Sequence, residues 1–136
     1  MSKQYIQPPE LFESKRFGYT QVVKSPPGEL LFLSGQGPFD RTFKLIGGSD
    51  LAAQTAQALE NLGHALRAGG AEVGDVTSLR IYVVDYSPEV AAAIGGAIRE
   101  FFGDSSPAAQ TLVGVQALGI PGMRVEIEAM AVVEAR

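Results

Sequence analysis

Glu126 and Glu128 stand two residues apart in a stretch of alternating polarity, so a strand there turns both carboxylates to one face. A carboxylate buried with few cations beside it can serve as an acid or base. A carboxylate matched to an arginine is instead a structural ion pair. Arg80 and Arg124 are the arginines available for such pairs, across a subunit boundary, with Glu126 and Glu128. Glu126 is open to both roles, and Glu128 is assigned to structure. The single His64 falls among the polar positions of a helical stretch and reads as a solvated side chain. Alone, it cannot build a zinc site without carboxylate help. The chain has no cysteine, which excludes disulfides, thiolate nucleophiles and cysteine metal sites. Gly35-Gln36-Gly37 has the glycines of a phosphate loop but opens no helix and is followed by no Lys-Ser/Thr. No Gly-x-Ser-x-Gly elbow is present, which argues against a serine hydrolase.

These side chains need a scaffold, and the periodicity supplies one. Residues 19–24 read as a short strand, and Ser25-Pro26-Pro27-Gly28 as a turn. Residues 29–34 form a near-continuous apolar run, the mark of a buried strand. Residues 41–46 read as a small extra strand broken by Gly47-Gly48. Ser49 or Asp50 caps a helix in which Leu51, Thr55, Leu59, Leu62 and Leu66 form the buried stripe. Gln54, Gln57, Asn61, His64 and Arg67 are polar and fall largely off that stripe, and Gly69-Gly70 ends the helix.

Residues 75–85 alternate: Leu79, Ile81 and Val83 face one way, and Ser78, Arg80, Tyr82 and Val84 the other. Ser87-Pro88 opens an alanine-rich helix that runs to Phe102. Gly95-Gly96 in its middle costs about 1 kcal/mol per glycine against alanine, which suggests close packing on another backbone. Residues 109–115 and 124–133 are the last strands. In the final one Val125, Ile127, Ala129 and Ala131 share a face opposite Glu126, Glu128, Met130 and Val132. Two helices on one face of one sheet make an α+β domain. The other sheet face mixes Arg80, Glu126 and Glu128 with Tyr82, Val84, Met130 and Val132, a surface suited to burial against another subunit.

At 136 residues the chain is one domain by size: a loosely held arm over residues 1–16, then a single domain over 17–136. Fifteen acidic against eleven basic residues, with no basic run, argue against a nucleic-acid partner. No apolar run approaches the roughly 20 residues of a membrane span, and the first residues lack a signal core. A soluble, cytoplasmic protein is the expectation.

Four stretches, in order and at matching spacing, resemble the RidA family (also called YjgF or L-PSP) from Gly18 onward. They are Tyr19-Thr20-Gln21; Leu33-Ser34-Gly35-Gln36; the set Asp50, Gln54, Asn61, Ala68-Gly69 and Gly74-Asp75; and the terminal stretch from Val125 to Val132. The resemblance implies a chorismate-mutase-like subunit, assembled as a homotrimer around a central barrel with a cleft at each subunit interface. It implies that an arginine clamps a substrate carboxylate there, while a glutamate and backbone groups position a water that hydrolyses an imine to a ketone and ammonia. It implies no cofactor and no metal. Glu126 matches the water-positioning glutamate, and Tyr19 and Ser34 match cleft-lining positions.

The chain departs from the family's pattern at the clamp. In Pro107-Ala108-Ala109-Gln110-Thr111 the arginine position falls on Gln110. The helix position where many members carry asparagine falls near Gly95, and the proline usual before the first tyrosine is absent at Phe17-Gly18. A guanidinium grips a carboxylate bidentately with charge assistance; a glutamine offers a neutral amide worth about 1 kcal/mol per hydrogen bond. A standard 2-iminobutanoate or 2-iminopropanoate deaminase is therefore not expected, unless Arg80 or Arg124 replaces the clamp. The readings carried forward are a deaminase-like hydrolase of an imine, enamine or related small molecule, and a non-catalytic binding or regulatory trimer. The ribonuclease activity attached to the family's name is disfavoured by the acidic composition.

Overall fold

The computed structural model describes residues 2–135. Its main sheet has four strands: β3 (Gly28–Gln36), β4 (Val76–Val84), β5 (Ala109–Val115) and β6 (Val125–Glu134), in the spatial order β3-β6-β4-β5. The β3–β6 and β6–β4 pairs are antiparallel, and β4–β5 is parallel. The parallel pair follows from its connection, because α2 (Pro88–Phe102) crosses over between β4 and β5. A second helix, α1 (Leu51–Ala68), lies beside α2 on the same sheet face, giving the expected two-helix α+β architecture.

The alternation read from the sequence decides which side is the core. Leu79, Ile81 and Val83 of β4, with Val125, Ile127 and Ala129 of β6, are buried under Leu59, Leu62 and Leu66 of α1 and Ile94, Ile98 and Phe102 of α2. Burying each such leucine or isoleucine stabilises by about 1.5–3 kcal/mol. Truncating the fully buried Ile81 to alanine would cost about 2–5 kcal/mol through the cavity it leaves.

Both helices start on a side-chain cap. Asp50 accepts a hydrogen bond from the Ala52 amide, and Ser87 Oγ accepts one from Val90 ahead of Pro88. Of Gly95-Gly96, expected to pack on a backbone or to border the cleft, Gly95 borders a cleft, and close packing is not seen within a protomer. A methyl group on Gly95 would lie 3.6 Å from the Phe17 carbonyl oxygen, an ordinary contact, and one on Gly96 would meet nothing within 4 Å. Within a protomer the pair is not a close-packing device.

Three further expectations change. Residues 2–16 are not a loose arm. Gln4–Ile6 forms β1, pairing antiparallel with β2 (Val22–Lys24), and Lys3 is buried with its ammonium on Val132 O at 2.7 Å and Glu134 Oε1 at 3.2 Å. Residues 19–21 are left out of the strand because Thr20 is spent elsewhere: its amide bonds Ala108 O and its hydroxyl bonds Pro107 O. Residues 41–46 form a turn rather than a strand. Asp40 Oδ1 accepts from Thr42 N, Thr42 Oγ1 and Lys44 N, and only the bridge between Phe39 and Leu45 remains of a ladder. Those bonds, led by the Lys44 amide, hold the Asp40 carboxyl below its ordinary value.

Gln54, expected off the stripe, is fully buried. Its amide nitrogen donates to Gly48 O and Gly122 O, and its oxygen accepts from Arg124 N at 2.7 Å. It ties the start of α1 to the start of β6.

Candidate functional site

The sheet register divides the candidate residues into two groups. On β5, Gln110 lies opposite Leu79 and Leu112 opposite Ile81, so both share the helix-facing side of the sheet. On β6, Glu126 lies opposite Tyr82 and Glu128 opposite Arg80, so these four share the other side. Gln110 and Glu126 therefore stand on opposite faces of one sheet.

The first group lines a cleft of about 510 Å³ between α2, β5 and the segment leading to Tyr19. Gln110 forms part of its wall, with Tyr19, Tyr86 and Gly95. The Gln110 Oε1 atom is buried and has no hydrogen-bond partner. Two arginines that the sequence analysis did not single out, Arg16 and Arg99, also line the cleft. Arg99 sits one helical turn beyond Gly95 on α2, so i,i+4 spacing was the available signal. Its guanidinium reaches back to the Arg16 carbonyl oxygen at 3.3 Å. Between them, Gly18 ends a 3-10 turn over Lys15–Phe17 with φ 90°, and a methyl group there would lie 3.4 Å from both Arg99 Cγ and the Gly95 carbonyl oxygen. Glycine fits this position on both counts.

The second group gathers on the open face. The β3–β6 register shifts between Leu33 and Gln36, and the exposed Ser34 and Gly35 fall in that irregularity. Bulges often re-aim side chains beside functional sites. Here the gap admits Glu126: a methyl group on Gly35 would overlap the Glu126 carboxylate, with Cδ only 2.8 Å away. Next to it, the Tyr82 hydroxyl donates to Glu128 Oε1, and this bond, more than burial, raises the phenol above its ordinary value. Leu30 and Phe32 on the same side of β3 are 60% and 73% exposed, an apolar surface beside the half-buried Met130 that lies opposite Phe32.

The arginines expected as replacement clamps are elsewhere within the protomer. Arg80 is exposed on the Glu126 side of the sheet, away from Gln110. Arg124 lies at the start of α1, where its Nη1 donates to Ser49 O at 3.3 Å and its Nε is buried without a partner. Among the described residues, neither forms an ion pair with Glu126 or Glu128 in one protomer. His64 is exposed beside Glu60 and Arg67, as a solvated histidine would be. Among the described residues no group of three His, Cys, Asp or Glu side chains could hold a metal ion, and no helix is long and apolar enough to cross a membrane.

A four-stranded mixed sheet under two helices, with a glutamate behind a Ser-Gly bulge, defines an α+β protein of the RidA type. The chain belongs to this family: residues 14–133 match the one described as Endoribonuclease L-PSP. It is 36% identical to a RutC family protein of Pyrococcus horikoshii, over 83% of this chain and 85% of that protein. It is 34% identical to a 2-iminobutanoate/2-iminopropanoate deaminase of Dermatophagoides farinae, over 85% of this chain and 86% of that one. Among solved structures, the conserved Rid-family protein YyfB of Yersinia pestis, described as of unknown function, is similar at 41% identity and a TM-score of 0.94, covering 98% of this chain and 100% of that one. The YjgF gene product of E. coli is similar at 29% identity and a TM-score of 0.69, covering 85% and 88%.

Proposed function

We propose that this protein is a homotrimer whose protomers pack their open sheet faces around a central barrel, and that it hydrolyses a small imine or enamine in clefts between them. One observation carries the reading. Gln110 and Glu126 lie on opposite faces of a single sheet, so only a second copy can bring a Glu126 to a given Gln110. The exposed Leu30 and Phe32 supply the apolar surface that such packing would bury.

In that cleft the carboxylate of Glu126 accepts a hydrogen bond from a water and orients it toward the imine carbon. The water oxygen bonds to carbon as the carbon–nitrogen π pair moves to nitrogen. Proton transfer and cleavage of the carbon–nitrogen bond then give a carbonyl compound and ammonia. No cofactor or metal enters these steps.

The neutral Gln110 sets the substrate limit. Short imino acids derived from serine or threonine lose a charge-assisted partner, a deficit of about 3–4 kcal/mol or several hundredfold in rate. The same neutral residue favours a second reading, a trimer that binds its ligand without turning it over.

A dehydratase-coupled assay of ketone formation, run beside light scattering, tests the proposal. A mass of about three times the 14.4 kDa chain is expected, with weak turnover of the short imines that Glu126→Gln removes. A monomer at micromolar concentration would refute the intersubunit site. Turnover equal to an arginine-bearing relative would refute the role given to Gln110, and no gain of activity in Gln110→Arg would favour the binding reading.

A further inference from the structure

The cleft beside Gln110 carries positive charge from an element other than β5. Arg99 of α2 and Arg16 both line it, and no carboxylate of the same protomer does. Among the described residues neither guanidinium forms an ion pair. The polar bond of Arg99 within the protomer is from Nη1 to the Arg16 carbonyl, which leaves the rest of its donor fork unused. A guanidinium lining a cleft with donors to spare can grip a carboxylate bidentately.

The polarity of the cleft runs from its rim to its wall. Arg99 and Arg16 are exposed, whereas Gln110 Oε1 is buried and unpartnered. A buried acceptor without a donor costs about 1–3 kcal/mol, so a ligand that supplies a donor there recovers that cost. Phe17, Tyr19 and Leu112 add apolar surface to the lining. Gly95 leaves the α2 wall free of side-chain bulk where Arg99 passes, with Arg99 Nη1 at 3.8 Å from where a methyl group would stand.

We infer that Arg99 is the specificity-determining cation of this cleft, selecting an organic monoanion with an apolar body, whose carboxylate meets Arg99 and whose neutral N–H or O–H donor meets Gln110. The inference rests on the small-molecule cleft proposed above and specifies its ligand. Arg16 adds charge at the rim, while Arg99, anchored on a helix, sets the geometry.

The probe is 3-(4-hydroxyphenyl)propionate, which has a phenol donor, an aromatic body and a terminal carboxylate. Its neutral primary amide and pyruvate serve as comparisons. Binding is followed by isothermal titration and by NMR shifts of Tyr19 and Gln110 in the intact protein. The carboxylate is expected to bind more tightly than its amide and than pyruvate. Arg99→Gln is expected to weaken the carboxylate about tenfold or more while leaving the amide unchanged, and Arg99→Lys to restore part of the loss. Melting temperature and particle mass matching the parent protein establish that the variants fold.

Equal binding of carboxylate and amide, unchanged carboxylate binding in Arg99→Gln, or no binding of either long probe would overturn the assignment. Binding without any imine turnover would sink the hydrolase reading and leave this one standing. Turnover of an imine that is insensitive to Arg99→Gln would do the reverse.

Discussion

Replacing Gln54 with alanine should destabilise the protein more than any other polar-to-alanine change on α1. The side chain is fully buried and makes three hydrogen bonds, at 2.6 Å to Gly48 O, 2.9 Å to Gly122 O and 2.7 Å from Arg124 N. Each is worth about 0.5–1.5 kcal/mol net. Gly48 and Gly122 are exposed enough for water to replace the lost donor at their carbonyls, whereas the Arg124 amide is half-buried and less easily satisfied. The removed methylene adds about 0.8 kcal/mol of lost burial. The total is about 3–4 kcal/mol. For a chain of 136 residues, an unfolding entropy of about 2.1 cal/mol/K per residue converts this to a fall in melting temperature of about 10–14 °C.

Urea unfolding followed by far-UV circular dichroism measures the change directly. Gln54→Glu is the sharper variant. At neutral pH its carboxylate keeps the acceptor for Arg124 but turns negative oxygen toward two carbonyls, so it should be less stable than at pH 4, where a protonated oxygen can donate to one of them. A loss below about 1 kcal/mol for Gln54→Ala would refute the claim that this residue ties α1 to β6. Because β6 carries Glu126 two residues beyond Arg124, the same variant should lower any turnover beyond its effect on the folded fraction.

Gly35→Ala should force the Glu126 carboxylate out of the bulge, reducing turnover or ligand binding with a stability change of about 1 kcal/mol or less, because a flexible side chain can swing away; unchanged function would show that the Glu126 position is not required. Glu134 has its pKa depressed, first by the hydrogen bond from Lys3, so its contribution is fully present above its unfolded value and is lost as pH falls through the lower folded one. Glu134→Gln should therefore flatten the decline of stability with acid below about pH 4.5, and an unaltered pH profile would argue against this link between the N-terminal segment and β6. Gly96→Ala should raise stability by about 0.5–1 kcal/mol, since the added methyl meets no atom within 4 Å in the protomer; a lower melting temperature would mean that this face of α2 packs against another copy.

Most of the framework is legible in local patterns, because periodicity needs no distant partner. The alternation of Leu79, Ile81 and Val83 with Arg80 and Tyr82, and of Val125, Ile127 and Ala129 with Glu126 and Glu128, names the core face without reference to any partner. Ser87-Pro88 and Asp50 likewise start their helices through their own side chains and backbone. Gln54 was within reach of the same reasoning: it lies three residues after Leu51 and four before Ala58, on the buried stripe, but its polarity hid it until Gly48, Gly122 and Arg124 supplied partners.

Other features belong to tertiary structure alone. β1 is three residues long, too short to show a period, and exists because β2 pairs with it. The stretch Ala109–Val115 carries apolar residues at both parities, so only its parallel register with β4 decides that Gln110 faces the helices while Glu126 faces away. Arg99 stands on a different element from Gln110 and shares no period with it, but lines the same cleft, because the crossover helix that carries it runs beside β5. Local pattern fixes which side of an element is apolar; which polar side chains meet is set by register and by the packing of elements distant in the chain, and no single segment encodes either.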